Sequence, residues 1–135
     1  MHAIDLNHEY YESRVKLTPE TKYWISPTRL NLELSDVNLP YQLAYQTWGK
    51  LNKNRDNAIL VVHALSGSAN LEAWWPELIG ENKPLDPAND FVICINLLGS
   101  CYGSSGPLSH NPDAGKTWKV NFPKITIRDQ VQAQA

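Results

Sequence analysis

Hydrophobic and polar positions follow two different rules along this chain. Leu30, Leu32 and Leu34 alternate with Asn31, Glu33 and Ser35, the period-two pattern of a strand with one buried face. After a turn at Val37-Asn38-Leu39-Pro40, residues Tyr41, Leu43, Tyr45 and Thr47 alternate with Gln42, Ala44 and Gln46, ending at Trp48-Gly49. The spacing predicts that these two strands pair as an antiparallel hairpin. Alternation then gives way to unbroken apolar runs. Ala58-Ile59-Leu60-Val61-Val62-His63 is the first, and Phe91-Val92-Ile93-Cys94-Ile95-Asn96-Leu97 the second. Such runs predict strands buried on both faces, as in parallel sheets.

The connecting segments fill in the order. Residues 1–28 are polar and irregular and are expected to form an N-terminal arm on the surface, leaving residues 29–135 as the domain. A polar loop over residues 52–57 delivers the first apolar run. Pro76 to Ile79 predicts one helical turn closed by Gly80. Asp86-Pro87-Ala88-Asn89-Asp90 is a turn before the second run, and a Gly/Ser/Pro-rich loop covers residues 99–124. Thr126-Ile127-Arg128-Asp129 then reads as a capping box, announcing a helix from Ile127. Antiparallel strands, then parallel-type strands, then a helix make an α/β fold with an open sheet.

Composition narrows the class. A hydrophobic fraction of 42%, with five Trp and six Tyr, argues for a packed globule over disorder. Twelve Lys and Arg against fourteen Asp and Glu give no basic stripe for nucleic acid and no acidic tail. No apolar stretch approaches the roughly 20 residues of a membrane span, and Met1-His2-Ala3-Ile4-Asp5 lacks a signal-peptide pattern. A soluble cytoplasmic protein without membrane or nucleic-acid partners is the expectation. Two cysteines make no disulfide framework, and no His/Cys spacing suits a metal. His8-Glu9-Tyr10-Tyr11-Glu12 lacks the second His of a metalloprotease helix.

Both apolar runs release small-residue loops at their C-terminal ends, where open α/β sheets present catalytic backbone groups. In His63-Ala64-Leu65-Ser66-Gly67, the small Ala64 and Gly67 let a substrate approach the main chain. Ser-Gly is equally the ordinary chemistry of a strand-ending turn. His63 and Ser66 have no Asp placed to orient the imidazole, so a base–nucleophile pair is not read from them; His63 reads as a structural histidine whose ring nitrogens organise the loop. Gly99-Ser100-Cys101-Tyr102-Gly103 matches the Gly-x-nucleophile-x-Gly elbow with Cys as nucleophile. An elbow must turn straight into a helix, and Gly106, Pro107 and Pro112 forbid one. Cys101 is therefore not expected to be a nucleophile, and the loop also lacks the Gly-Lys-Ser/Thr ending of a phosphate cradle. Trp74 and Trp75 read as packing anchors under a loop.

Tyr45-Gln46-Thr47-Trp48-Gly49-Lys50-Leu51-Asn52, the His63–Gly67 loop, Trp74-Trp75, Lys83-Pro84-Leu85-Asp86, Leu98-Gly99-Ser100-Cys101-Tyr102-Gly103-Ser104-Ser105-Gly106-Pro107, Phe122-Pro123 and Thr126-Ile127-Arg128-Asp129 occur in one order. Together they resemble the homoserine O-acetyltransferase family. The resemblance implies the N-terminal part of an α/β-hydrolase fold with an incomplete sheet, truncated before the nucleophile elbow. It implies acetyl transfer from acetyl-CoA to homoserine through an acyl-serine, a step toward methionine, with acetyl-CoA as co-substrate and no bound cofactor or metal. It implies Leu65 as a backbone N–H donor of the oxyanion hole, with Ala64, Ser66 and Gly67 shaping the pocket. A homodimer is implied for the complete enzyme. No Gly-x-Ser-x-Gly occurs in these 135 residues, so the triad is absent and the segment alone is expected to be inactive. Two alternatives stand beside this reading: a non-catalytic α/β module pairing with another chain, and a portion of a related succinyltransferase or hydrolase.

Overall fold

The computed structural model describes residues 18–135. The first 17 residues of the expected arm, and with them the His8 to Glu12 segment, lie outside the described residues. In chain order the elements are β1 (Lys22–Ile25), β2 (Leu30–Asn31), β3 (Asn38–Leu39), β4 (Gln42–Trp48), β5 (Ala58–Val61), α1 (Leu71–Trp74), β6 (Phe91–Ile95), β7 (His110–Asn111), β8 (Lys116–Thr117) and α2 (Ile127–Gln134). Four strands make a mixed sheet in the order β1-β4-β6-β5. Residues 23–43 and 97–135 cluster into one compact unit, and residues 18–22 and 44–96 into another.

In the unit of residues 18–22 and 44–96, β4 runs antiparallel to β6, with Tyr45 opposite Ile95 and Trp48 opposite Val92. The two apolar runs pair in parallel, Ala58 opposite Phe91 and Val61 opposite Cys94. Leu71, Ile79 and Val92 form a buried cluster against which Trp48, Val61, Trp74, Leu78 and Leu85 pack. Burial of both faces of β5 is not found. Leu60 is 46% and Val62 69% exposed, while Ile59 and Val61 are half-buried. Among the described residues β5 ends the sheet, so its outer edge has no strand partner. Gly49 closes β4 at φ 73°, and a Cβ there would lie 2.0 Å from the Asp90 carbonyl oxygen. Only glycine fits that approach.

The expected helical turn is displaced. Helix α1 occupies residues 71 to 74 and ends before Pro76, with Trp75 at φ −144° and ψ 60°. Proline drives the residue before it out of the α region, so helix precedes Pro76 instead of starting there. Residues 76–80 form a clip, in which the Leu85 N–H donates to the Leu78 carbonyl and the Gly80 N–H to the Leu85 carbonyl, both at 3.0 Å.

In the unit of residues 23–43 and 97–135, an antiparallel pair is present, but its partners differ from the expected ones. β2 pairs with β3, Leu30 opposite Leu39, whereas the 41–47 alternation belongs to β4 of the main sheet. Pro40 separates the two, having no N–H to continue the ladder. Within the expected arm, Lys22–Ile25 is a strand with exposed side chains. Helix α2 starts as the capping box predicts. The Asp129 N–H donates to Thr126 Oγ1 at 3.2 Å, and the Thr126 N–H donates to Asp129 Oδ2 at 2.8 Å. The other oxygen, Oδ1, accepts the Glu33 N–H at 3.0 Å, tying α2 to the chain after β2. Burial pushes the Asp129 carboxyl up, but hydrogen bonds from the Thr126 and Glu33 amides and the Thr126 hydroxyl hold it below the usual carboxylate range.

Candidate active-site loop

The loop after β5 is a β-turn. The Gly67 N–H donates to the Ala64 carbonyl at 2.8 Å, which puts Leu65 and Ser66 at the two central positions. Neither has positive φ, so with the closing hydrogen bond the turn is type I. In that geometry the N–H of the first central residue faces away from the turn. The Leu65 N–H has no hydrogen-bond partner among the described residues, and Leu65 is 98% exposed. Ala64 and Ser66 are exposed beside it and Gly67 is half-buried. The structure thus places all four residues singled out for this loop on one turn.

A rigid base lies under this exposed tip. His63 is 5% exposed, and its Nδ1 lies 2.8 Å from the Ala64 carbonyl oxygen. The following residues are pinned from the sheet side. The Ala69 N–H donates to Asn96 Oδ1 at 2.7 Å, and the Trp74 indole N–H donates to the Ser68 carbonyl at 2.9 Å. Asn96 is a residue that sequence reasoning missed. Its signal was a lone amide inside an otherwise apolar run, and its buried side chain holds the loop backbone. Trp74 acts through its N–H as well as its ring.

The loop after β6 is held within its own unit. The Gln42 N–H donates to Ser105 Oγ at 2.9 Å, and Gln42 Nε2 donates to the Gly103 carbonyl at 2.8 Å. The Ser105 N–H returns a bond to the Gln42 carbonyl at 3.0 Å, and the Gly99 N–H donates to the Ser105 carbonyl at 2.8 Å. No helix follows Cys101; the chain passes into the β7–β8 hairpin and a short 3-10 turn at Lys119–Asn121. Cys101 is exposed, whereas Cys94 is buried and its thiol is pushed up to about 11 by desolvation. An open depression of about 560 Å³, lined by His110, Lys116, Trp118 and neighbours, holds none of the residues of the 63–67 loop. Among the described residues no group of three or more His, Cys, Asp or Glu side chains is placed to hold a metal ion. No helix among them is long and apolar enough to cross a membrane.

No protein-family model matches the chain. Curated relatives do. A homoserine O-acetyltransferase of Chloroherpeton thalassium is 50% identical over 115 residues, which are 85% of this chain and 30% of that protein. One of Trichormus variabilis is 49% identical over 119 residues, 88% of this chain and 33% of that protein. Among solved structures, homoserine O-acetyltransferase from Bacillus anthracis superposes with a TM-score of 0.73 at 29% identity, covering 84% of this chain and 34% of that one. Esterase E22 superposes at 0.74 and 28% identity, covering 85% of this chain and 35% of that one. The chain therefore spans about a third of the length of the relatives it matches. By sequence it is homologous to that third of the homoserine O-acetyltransferases, and its fold is part of an α/β-hydrolase domain.

Proposed function

We propose that this chain supplies the oxyanion-loop portion of an acetyltransferase that moves an acetyl group from acetyl-CoA to the hydroxyl of homoserine. The observation that carries the reading is the Leu65 N–H, unpartnered at the tip of a braced turn on a strand's C-terminal end. A fixed backbone dipole of this kind stabilises charge that develops on a carbonyl oxygen without reorganising. In the first half-reaction a serine oxygen bonds to the thioester carbon and the carbonyl oxygen becomes an oxyanion facing this donor. The serine proton passes to the base during attack; collapse breaks the C–S bond, and the base returns that proton to sulfur so that CoA leaves as its thiol. In the second half the homoserine hydroxyl attacks the acyl-serine, passes through the same oxyanion, and releases the acetyl ester. The serine, its base and the orienting acid are not among these 135 residues, which hold no Gly-x-Ser-x-Gly. The contribution of this segment is binding and charge stabilisation.

A second reading has its own support. An acetylester hydrolase from Corynebacterium glutamicum superposes over 99% of this chain at 33% identity with a TM-score of 0.70. The same donor serves hydrolysis, with water in place of homoserine.

The test is a chimera in which this chain replaces the matching segment of the Chloroherpeton thalassium relative. Homoserine-dependent release of CoA thiol is expected. Hydrolysis of an aryl acetate without transfer supports the esterase reading. A folded chimera with neither activity overturns both. The 135-residue polypeptide by itself is expected to release no CoA; acetyl transfer by it, abolished by Ser66→Ala or Cys101→Ala, would contradict the assignment.

A further inference from the structure

We propose that His63 is the positioning residue of the 63–67 turn, locked in the Nδ1–H tautomer so that its ring clamps the Ala64 carbonyl and thereby aims the Leu65 N–H. The inference rests on the oxyanion-loop reading above and adds a residue and a protonation pattern to it. The contact at Nδ1 selects the tautomer. Nδ1 lies 2.8 Å from the Ala64 carbonyl oxygen, an atom that only accepts, so Nδ1 must carry the hydrogen. Nε2 is buried with no partner among the described residues and is unpaired in either tautomer. The opposite tautomer would set two lone pairs face to face at Nδ1 and lose the bond to Ala64.

The clamp matters because of what the Ala64 carbonyl does. It accepts from His63 Nδ1 and from the Gly67 N–H, both at 2.8 Å, so both lone pairs are engaged. Those two bonds fix the orientation of the peptide plane joining Ala64 to Leu65, and the hydrogen on the far side of that plane is the Leu65 N–H. Peptide planarity makes the carbonyl and the following N–H point in opposite directions. Holding one therefore aims the other. Gly67 completes the arrangement, since a Cβ there would lie 3.1 Å from the Ala64 oxygen and 3.2 Å from His63 Cβ. The residue placed to organise the donor is thus a buried histidine.

Two variants separate this role from simple packing. His63→Asn keeps an N–H close to the Nδ1 position; His63→Phe keeps a ring and no donor. In the active chimera, His63→Phe is expected to lower kcat about tenfold or more with KM little changed, within the 10²–10³ that one oxyanion donor supplies, and His63→Asn to recover most of the loss. In the 135-residue chain, nitrogen-15 correlation through the ring protons is expected to give a protonated-type Nδ1 and an unprotonated-type Nε2. His63→Phe is expected to remove the hydrogen-exchange protection of the Gly67 amide. A protonated-type Nε2, or a folded His63→Phe chimera with unchanged kcat, overturns the proposal. If the chimera with His63 in place is inactive, the oxyanion-loop reading fails instead, and the ring spectrum still decides the tautomer.

Discussion

Asp129 is a position where a single atom-scale change has a calculable effect on the fold. Its side chain is 1% exposed and accepts two backbone N–H groups, from Thr126 at 2.8 Å and Glu33 at 3.0 Å. Hydrogen bonds to a charged acceptor contribute about 1.5–3 kcal/mol each, less where water can replace the partner. Glu33 is exposed and Thr126 half-buried, so Asp129→Ala is expected to cost about 2–3 kcal/mol in all. That corresponds to a fall in Tm of roughly 8–15 °C for a domain of this size. Asp129→Asn keeps one acceptor and turns a donor toward the other N–H, and is expected to cost about 1–2 kcal/mol.

The pH dependence gives the sharper check. The folded carboxyl sits below its unfolded value of about 3.9. Its contribution is therefore complete above that value and is lost as pH falls through the folded value. Thermal unfolding followed by circular dichroism at pH 7 and at steps down to pH 2.5 measures it. The gap between the unmutated chain and Asp129→Asn is expected to be full at pH 7 and to close in acid, where the protonated acid matches the amide. A gap that is absent at pH 7, or constant across the range, refutes the reasoning. The neighbouring Arg128–Glu33 pair is not expected to carry the effect, since the Arg128 side chain is 83% exposed.

Two further outcomes follow from the cysteines and from the uncovered strand. A thiol reagent is expected to modify Cys101 in the folded chain and Cys94 only on unfolding, and Cys101→Ser is expected to leave chimera activity unchanged; loss of activity would return Cys101 to the chemistry. The β5 edge, with Leu60 and Val62 exposed, is expected to drive self-association of the 135-residue chain. Val62→Lys should reduce it in light scattering, and a monomeric unmutated chain would contradict this.

Much of the fold was legible because local chemistry and global placement agree. The apolar runs at 58–62 and 91–95 pair in parallel, and Thr126 with Asp129 caps the last helix, since each signal depends on neighbours in sequence. The partner of the first alternating strand was not legible. Leu30, Leu32 and Leu34 fit either the 41–47 alternation or the short Asn38–Leu39 pair equally well by period, and Pro40 settles the choice only once the ladder is seen. The exposure of Leu60 was hidden as well, because composition reports what a strand prefers to bury and not what lies beside it. At the site, the small-residue loop was visible, with His63 as its organiser and Trp74 as an anchor under a loop, but the third support was not. Asn96 reaches the loop from 27 residues away, and nothing in the sequence of the loop names it.

The claim that the Leu65 N–H is a working oxyanion donor is tested most directly by removing that one hydrogen. Leu65 holds the first central position of a type I turn, where proline is favoured and its fixed φ fits, so Leu65→Pro deletes the N–H while keeping the turn. In the chimera this account predicts a fall in kcat of about 10²–10³, with Leu65→Ala nearly unaffected and both variants folded. A Leu65→Pro chimera that folds and transfers acetyl at the unmutated rate would contradict it.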